Sequence, residues 1–173
     1  QNKNKMKLKI PFYKQDMDYT CGPASLQMVL SFLGDFKSEK SLSEEAHTDR
    51  DVGTKHNAMI ETARREGFYC YVNNDSSWNE IKSFLTEGLP VIIHFTEPQG
   101  EEGHYAVVVG FEKGEIILND PWNGKNFKMA KKEFLPRWRG SQGSHRYKKW
   151  IMVISDKDFE LGKQYSPIAK QIK

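Results

Sequence analysis

Gln15-Asp16-Met17-Asp18-Tyr19-Thr20-Cys21-Gly22-Pro23-Ala24-Ser25-Leu26 is the stretch from which both the fold and the chemistry can be read. A polar segment ends at Cys21, and Pro23 suits the first turn of a helix, where its missing N–H costs nothing. Leu26, Val29, Leu30 and Leu33 then recur at helical spacing, and Gly34 stops the run. The pattern predicts a central helix, apolar on one face, with Cys21 at its start. A helix N-terminus carries partial positive charge and favours a thiolate over a thiol. Gln15 could donate a hydrogen bond to a developing oxyanion, with the Cys21 backbone N–H as second donor. A solvated loop glutamine is the alternative for Gln15.

A cysteine nucleophile needs a base, and there are five histidines. His47 and His56 flank a polar, charged stretch and read as exposed. His94 lies in the apolar run Pro90-Val91-Ile92-Ile93-His94-Phe95 and reads as a satisfied core histidine. His145 sits in a Gly/Ser/Arg loop with no fixed context. His104 opens the most apolar strand, directly after Gln99-Gly100-Glu101-Glu102-Gly103, where a side chain can reach a cleft. It is the candidate base. Asp120, at the end of the next strand, is the candidate to orient the imidazole, with an ordinary Asp-Pro turn as the alternative. A plain hairpin centred on Lys113-Gly114 would set Asp120 opposite Val107. That is three residues, or ~10 Å, from His104 and on the other face, so a triad requires a bulge or strand-end departure that the sequence does not reveal.

Working outward, Leu8 to Tyr13 reads as an extended lead-in. Ser41 with Glu44 forms a candidate capping box, Asn57 to Glu66 a helix ended by Gly67, and Ser77 with Glu80 the cap of a helix ended by Gly88. The second half is β-rich: the run to Phe95, His104 to Phe111, Ile116 to Asn119, and a last strand from Tyr147 to Ile154. Helices first and an antiparallel sheet second imply an α+β class.

The 173 residues suffice for one domain, with neither linker nor repeat. Residues 1–7 are expected as an N-terminal tail, 8–154 as the domain and 155–173 as a C-terminal extension. The net charge of +3 does not argue for nucleic acid. Lys3, Lys5, Lys7 and Lys9, with Lys163, Lys170 and Lys173, read as solvated tails. No apolar run approaches a membrane span. No signal-peptide pattern is present, and the start at Gln1 rather than Met fits either removal of a leader or a trimmed chain; the former favours a secreted or cell-surface bacterial protein. Two cysteines exclude a disulfide-rich scaffold; a Cys21–Cys70 bridge would consume the nucleophile, and Cys70 reads as a small buried hydrophobe in a strand. With no Cys-x-x-Cys and no close histidine pair, no metal is expected, and no cofactor is required.

Three motifs together resemble the peptidase C39-like family: Gln15-x-Asp-x-x-Thr-Cys21-Gly-Pro-Ala-Ser-Leu, Gly103-His104-Tyr-Ala-Val-Val-Val-Gly110, and Leu-Asn-Asp120-Pro-Trp-Asn-Gly124. Glu133-Phe134 and Trp138-Arg139-Gly140 resemble that family's closing segment. The resemblance spans residues 8 to 154. It implies a papain-like cysteine protease fold, nucleophile Cys21, general base His104, orienting Asp120 and oxyanion-hole Gln15, acting on a peptide or protein. Members that cut leader peptides after a double glycine carry a second cysteine where this chain has Ser25, so the chain resembles the stand-alone branch. A non-catalytic peptide-binding module and a thiol acyltransferase on the same fold are the competing expectations. Tyr13, Tyr19, Tyr105, Trp122 and Trp138 are candidates to line a cleft. The loop from Thr96 to Gly103, with Glu97, Glu101 and Glu102, could form a rim favouring basic substrates.

Overall fold

The apolar run that starts at Cys21 forms α1 (Cys21–Phe32), whose Leu26, Met28, Val29 and Leu30 are wholly buried. The computed structural model describes residues 5–160 and 164–168. Two further helices, α2 (Glu39–Glu45) and α3 (His56–Arg65), pack with α1 on one face of a large antiparallel sheet. The cap of α2 is Ser38 rather than Ser41. The helix starts a turn earlier than expected, and the Ser38 hydroxyl accepts the Ser41 N–H at 3.0 Å. Helix α4 (Trp78–Thr86) is capped as expected, Ser77 accepting from Glu80 N–H at 3.0 Å. Gly67 and Gly88 end their helices at φ 96° and 84°, backbone that favours glycine.

The sheet contains β1 (Lys5–Lys7), β2 (Tyr69–Asn73), β3 (Val91–Thr96), β4 (Gly103–Glu112), β5 (Glu115–Asp120), β6 (Gly124–Ala130), β9 (Ile151–Ser155) and β10 (Gln164–Tyr165). Helix α5 (Lys131–Arg137) follows β6, and a separate hairpin joins β7 (Arg139–Gln142) to β8 (His145–Lys148). Strand order is β10-β2-β9-β3-β4-β5-β6, with β1 paired to β4. Strand alternation divides the apolar side chains. Tyr105, Val107, Val109 and Ile117 pack toward α1–α3, while Ala106, Val108, Ile116 and Leu118 pack toward α4 and α5.

Three segments depart from the sequence reading. Lys5 and Lys7 lie in an edge strand, Lys5 facing Glu112 at 3.7 Å, rather than in a tail. In the expected C-terminal extension, Gln164 and Tyr165 pair with β2; Lys3, Lys163, Lys170 and Lys173 lie outside the described residues. The stretch from Tyr147 to Ile154 is two strands, β8 and β9. Lys149 takes a positive φ of 53° and breaks the run.

The register of β4 against β5 carries the main finding. Val107 faces Asn119, Val108 faces Leu118, and Gly110 then faces Ile117, leaving Val109 as an extra residue. This bulge slips β5 by one position, so Asp120 falls opposite Ala106 and shares a face with His104. The Val109 carbonyl accepts the Leu8 N–H at 2.8 Å. A Cβ on Gly110 would collide with the Met6 carbonyl and the Lys7 Cα, so β1 fits only against glycine. Gly110→Ala is therefore expected to destabilise the protein by about 1–3 kcal/mol and to speed hydrogen exchange at the Leu8 amide. Unchanged exchange at Leu8 would show that β1 does not depend on this contact.

Candidate active site

Cys21 is the first residue of α1, half-buried, with its backbone N–H outside the helical ladder. Its sulfur accepts the Tyr105 N–H from β4 at 3.5 Å. His104, next along β4, is buried, and its Nε2 lies 2.5 Å from Asp120 Oδ1. The other ring nitrogen is left for Cys21. Burial pushes the imidazole down, but the charge on Cys21 and hydrogen bonds to Asp120 and Cys21 outweigh it and raise its pKa from 6.5 to about 10.

Asp120 is wholly buried and well satisfied. Oδ1 also accepts the backbone N–H groups of Trp122 (2.9 Å) and Asn123 (3.0 Å), and Oδ2 accepts the Asn123 side-chain amide (3.0 Å). Burial works to raise its pKa, but the bonds from His104 and Asn123 hold it below the ordinary carboxylate value. The Asp-Pro turn and the histidine partner thus coexist: one carboxylate serves both.

Gln15 is buried beside this corner. Its backbone N–H bonds to the Pro121 carbonyl at 3.1 Å, and its side-chain amide donates to the Met17 carbonyl at 2.7 Å. That leaves one amide hydrogen uncommitted. The Thr20 hydroxyl donates to the same Met17 carbonyl at 3.0 Å, so residues 15–20 form a knotted turn leading into Cys21. Beneath it sits Glu39, absent from the sequence reading, whose carboxylate accepts the Asp16 N–H at 3.1 and 3.2 Å. Burial raises Glu39 from 4.5 to about 7, against the lowering effect of the Asp16 N–H.

A cavity of ≈ 330 Å³ opens at Cys21, walled by Tyr19, Gly53, Gly103, Tyr105 and the hairpin tip at Gln142. Of the aromatic candidates, Tyr19 and Tyr105 line it. Trp138 is core and donates to the Trp150 carbonyl, Tyr13 packs against the core, and Trp122 is exposed. The acidity of the loop from Thr96 to Gly103 is largely internal. Glu97 accepts the Gln99 and Gly100 N–H groups, Glu101 pairs with Arg137 at 2.8 Å, and only Glu102 faces the cavity.

Three histidines depart from their expected surroundings. His94 is buried as expected, yet it also borders the Cys21 cavity, with its Nδ1 2.7 Å from His56 Nε2. His56 is not exposed: its ring stacks on Trp150 (centroids 4.0 Å apart), and burial with the neighbouring His145 pushes its pKa to about 3. His145 belongs to β8, its Nε2 3.4 Å from His56 Nδ1. The histidines that are distant in sequence therefore meet, but in a chain, nitrogen to nitrogen. Among the described residues no group is arranged to hold a metal. His47 is exposed as read. Both cysteines are free, and burial pushes the Cys70 thiol up to about 12.

Residues 7–145 match the model of the Peptidase_C39 like family. An uncharacterized protein of Methanothermobacter marburgensis is 32% identical over 112 residues, covering 65% of this chain and 72% of that one. The transport/processing ATP-binding protein ComA of Streptococcus pneumoniae is 30% identical over 131 residues, 74% of this chain but only 18% of its own length. Among solved structures, a C39-like peptidase of Bacillus anthracis superposes with TM-score 0.71 at 16% identity (90% of this chain, 99% of that one). The peptidase domain of Streptococcus ComA does so at 0.64 and 24% (84% and 98%). A double glycine motif protease from an AMS/PCAT transporter, in complex with the leader peptide, does so at 0.64 and 22% (86% and 93%). The shared fold is that of papain-like peptidase domains.

Two titrations test these electrostatics. By NMR, the His104 ring is expected to stay protonated up to about pH 10, and in Cys21→Ala to lose its proton at distinctly lower pH; an unchanged midpoint would mean that Cys21 carries no charge beside it. Glu39 binds a proton more tightly folded than unfolded. Its stabilising share is complete below 4.5 and lost as pH rises through about 7. Glu39→Gln should therefore gain stability relative to the wild type above pH 7 and not below 4.5, read by urea denaturation.

Proposed function

Because the chain belongs to the Peptidase_C39 like family, we propose that it is a papain-like cysteine peptidase with Cys21 as nucleophile and His104 as its acid–base partner. Asp120 orients the ring, and Gln15 is an oxyanion donor. The observation that carries this reading is His104 itself, bonded through Nε2 to buried Asp120 and influenced by Cys21 on its other side. The influence of Cys21 on the ring also favours catalysis over the peptide-binding module, for which the sulfur would stand out of reach of both ring nitrogens.

The Cys21 sulfur adds to the scissile carbonyl carbon. Charge develops on the carbonyl oxygen, where the free Gln15 amide hydrogen and the Cys21 backbone N–H receive it. The tetrahedral adduct collapses as the C–N bond breaks, and the His104 imidazolium gives its proton to the departing amine. A water molecule then loses a proton to neutral His104 and adds to the thioester. Collapse of that adduct breaks the C–S bond and releases the carboxylic acid; the freed sulfur and protonated His104 are then the starting pair. Asp120 keeps its negative charge throughout and favours the imidazolium.

The substrate is a peptide bond in an accessible chain. The solved double glycine motif protease holds a leader peptide, which supports a peptide as the substrate class. Ser25, buried on α1 with its hydroxyl unpartnered, keeps the double-glycine preference from being carried over with it.

At about pH 6, Cys21 should be alkylated by iodoacetamide faster than a free thiol, because the proposed mechanism needs a thiol activated by His104. An ordinary thiol rate would remove the pair and the mechanism with it. Cys21→Ala should keep the fold and lose peptide hydrolysis by ~10³-fold or more. Product analysis with an added amine separates hydrolysis from acyl transfer.

A further inference from the structure

The β7–β8 hairpin carries charge that neither the fold nor the proposed chemistry uses. Its register sets Arg139 opposite Lys148 and Ser141 opposite Arg146, so three cations project from one face of a two-stranded ribbon. Like charges directly opposite one another destabilise such a pair. All three side chains are exposed, and among the described residues none forms an ion pair. The hairpin also forms one wall of a groove of ≈ 1200 Å³. The groove lining includes all three cations and His145 but no Asp or Glu, and its apolar parts include Ile60 and Val72. Ser141 borders both this groove and the Cys21 cavity, so the two lie on either side of one strand.

We propose that this groove binds an acidic segment of the peptide substrate, away from the bond that is cut. The proposal rests on the peptidase reading above and adds the chemistry of the substrate. Carboxylates of the segment pair with Arg139, Arg146 and Lys148, two of them guanidiniums suited to bidentate contact. Intervening aliphatic side chains lie on the apolar lining. Acidic groups such as Glu102 and Asp18 remain at the Cys21 cavity, so the surface is bipartite: acidic at the cleavage site, basic beyond the hairpin. A peptide fits better than a nucleic acid, because three cations on a chain of net charge +3 do not make a phosphate-tracking stripe.

The experiment uses the full chain with Cys21→Ala and a fluorescein-labelled peptide bearing a run of glutamates, its glutamine analogue serving as control, read by fluorescence anisotropy. The glutamate peptide should bind about tenfold more tightly or better, and the preference should fade as salt rises. The combined Arg139→Glu, Arg146→Glu and Lys148→Glu variant should abolish the preference. The milder Arg139→Gln, Arg146→Gln and Lys148→Gln variant, checked by circular dichroism, should do the same without risking the fold. Equal binding of the two peptides, or a preference untouched by either variant, overturns the proposal. So does tighter binding of an oligonucleotide or of phosphatidylglycerol vesicles than of the glutamate peptide. Slow alkylation of Cys21 would instead remove the peptidase reading and leave the peptide measurement standing on its own.

Discussion

One extra residue in one strand sets the geometry of the site. Val109 bulges out of the β4–β5 ladder, and that slip alone brings Asp120 into phase with His104. Without it the carboxylate would point to the opposite face, buried and unpartnered, which costs heavily for a charged group. Where β3 stops at Val108, the N-terminal segment takes over that side of β4, and the Leu8 N–H bonds to the Val109 carbonyl. The same segment then runs past β5, where the Asn119 side chain bonds to the Ile10 carbonyl, to Gln15, tied to Pro121. A single extended stretch thus packs along the bulged strand, ties to β5 beside Asp120 and anchors the glutamine that leads into Cys21.

His104 shows how the surroundings decide the charge of a buried group. Burial alone would keep the ring neutral, as it does for His94 and His56 a few ångströms away. The difference lies in the partners. His94 and His56 face other imidazoles, which repel a proton, whereas His104 faces a carboxylate and a thiol. The neutral histidines form a packed partition between the cleft and the basic groove, stacked with Tyr105, Tyr147 and Trp150.

Much of this was legible in the chain. Apolar spacing from Leu26 to Leu33 predicts α1, Ser77 the cap of α4, and the runs at Val91, Tyr105 and Ile116 the core strands, because burial on both faces leaves an unmistakable apolar signal. What escaped is governed by partners far away in sequence. Strand β6 (Gly124–Ala130) lies at the sheet edge, and the β7–β8 hairpin stands apart from the sheet, so neither needs an apolar run. The bulge at Val109 leaves no mark on an apolar run, and the close approach of β1 to Gly110 joins segments a hundred residues apart. His56 reads as solvated because its sequence neighbours are polar, while Trp150 and His94, which bury it, come from the other half of the chain. Glu39 escaped for the same reason: its partner is a backbone amide across a loop.

The far wall of the Cys21 cavity is fastened at the hairpin tip by two side chains, Gln142 and His145. The Gln142 amide donates to the carbonyls of Val52 (3.2 Å) and Thr54 (2.9 Å), fastening the hairpin tip to the loop that precedes α3. Two such bonds contribute about 2 kcal/mol net, and His145, its Nε2 3.4 Å from His56 Nδ1, adds to them. The rest of the cleft is built on α1 and β4, whose opening would cost much of the global stability. Access to this side of Cys21 is therefore governed at the hairpin tip, with Cys21 and His104 held still while the doorway fluctuates.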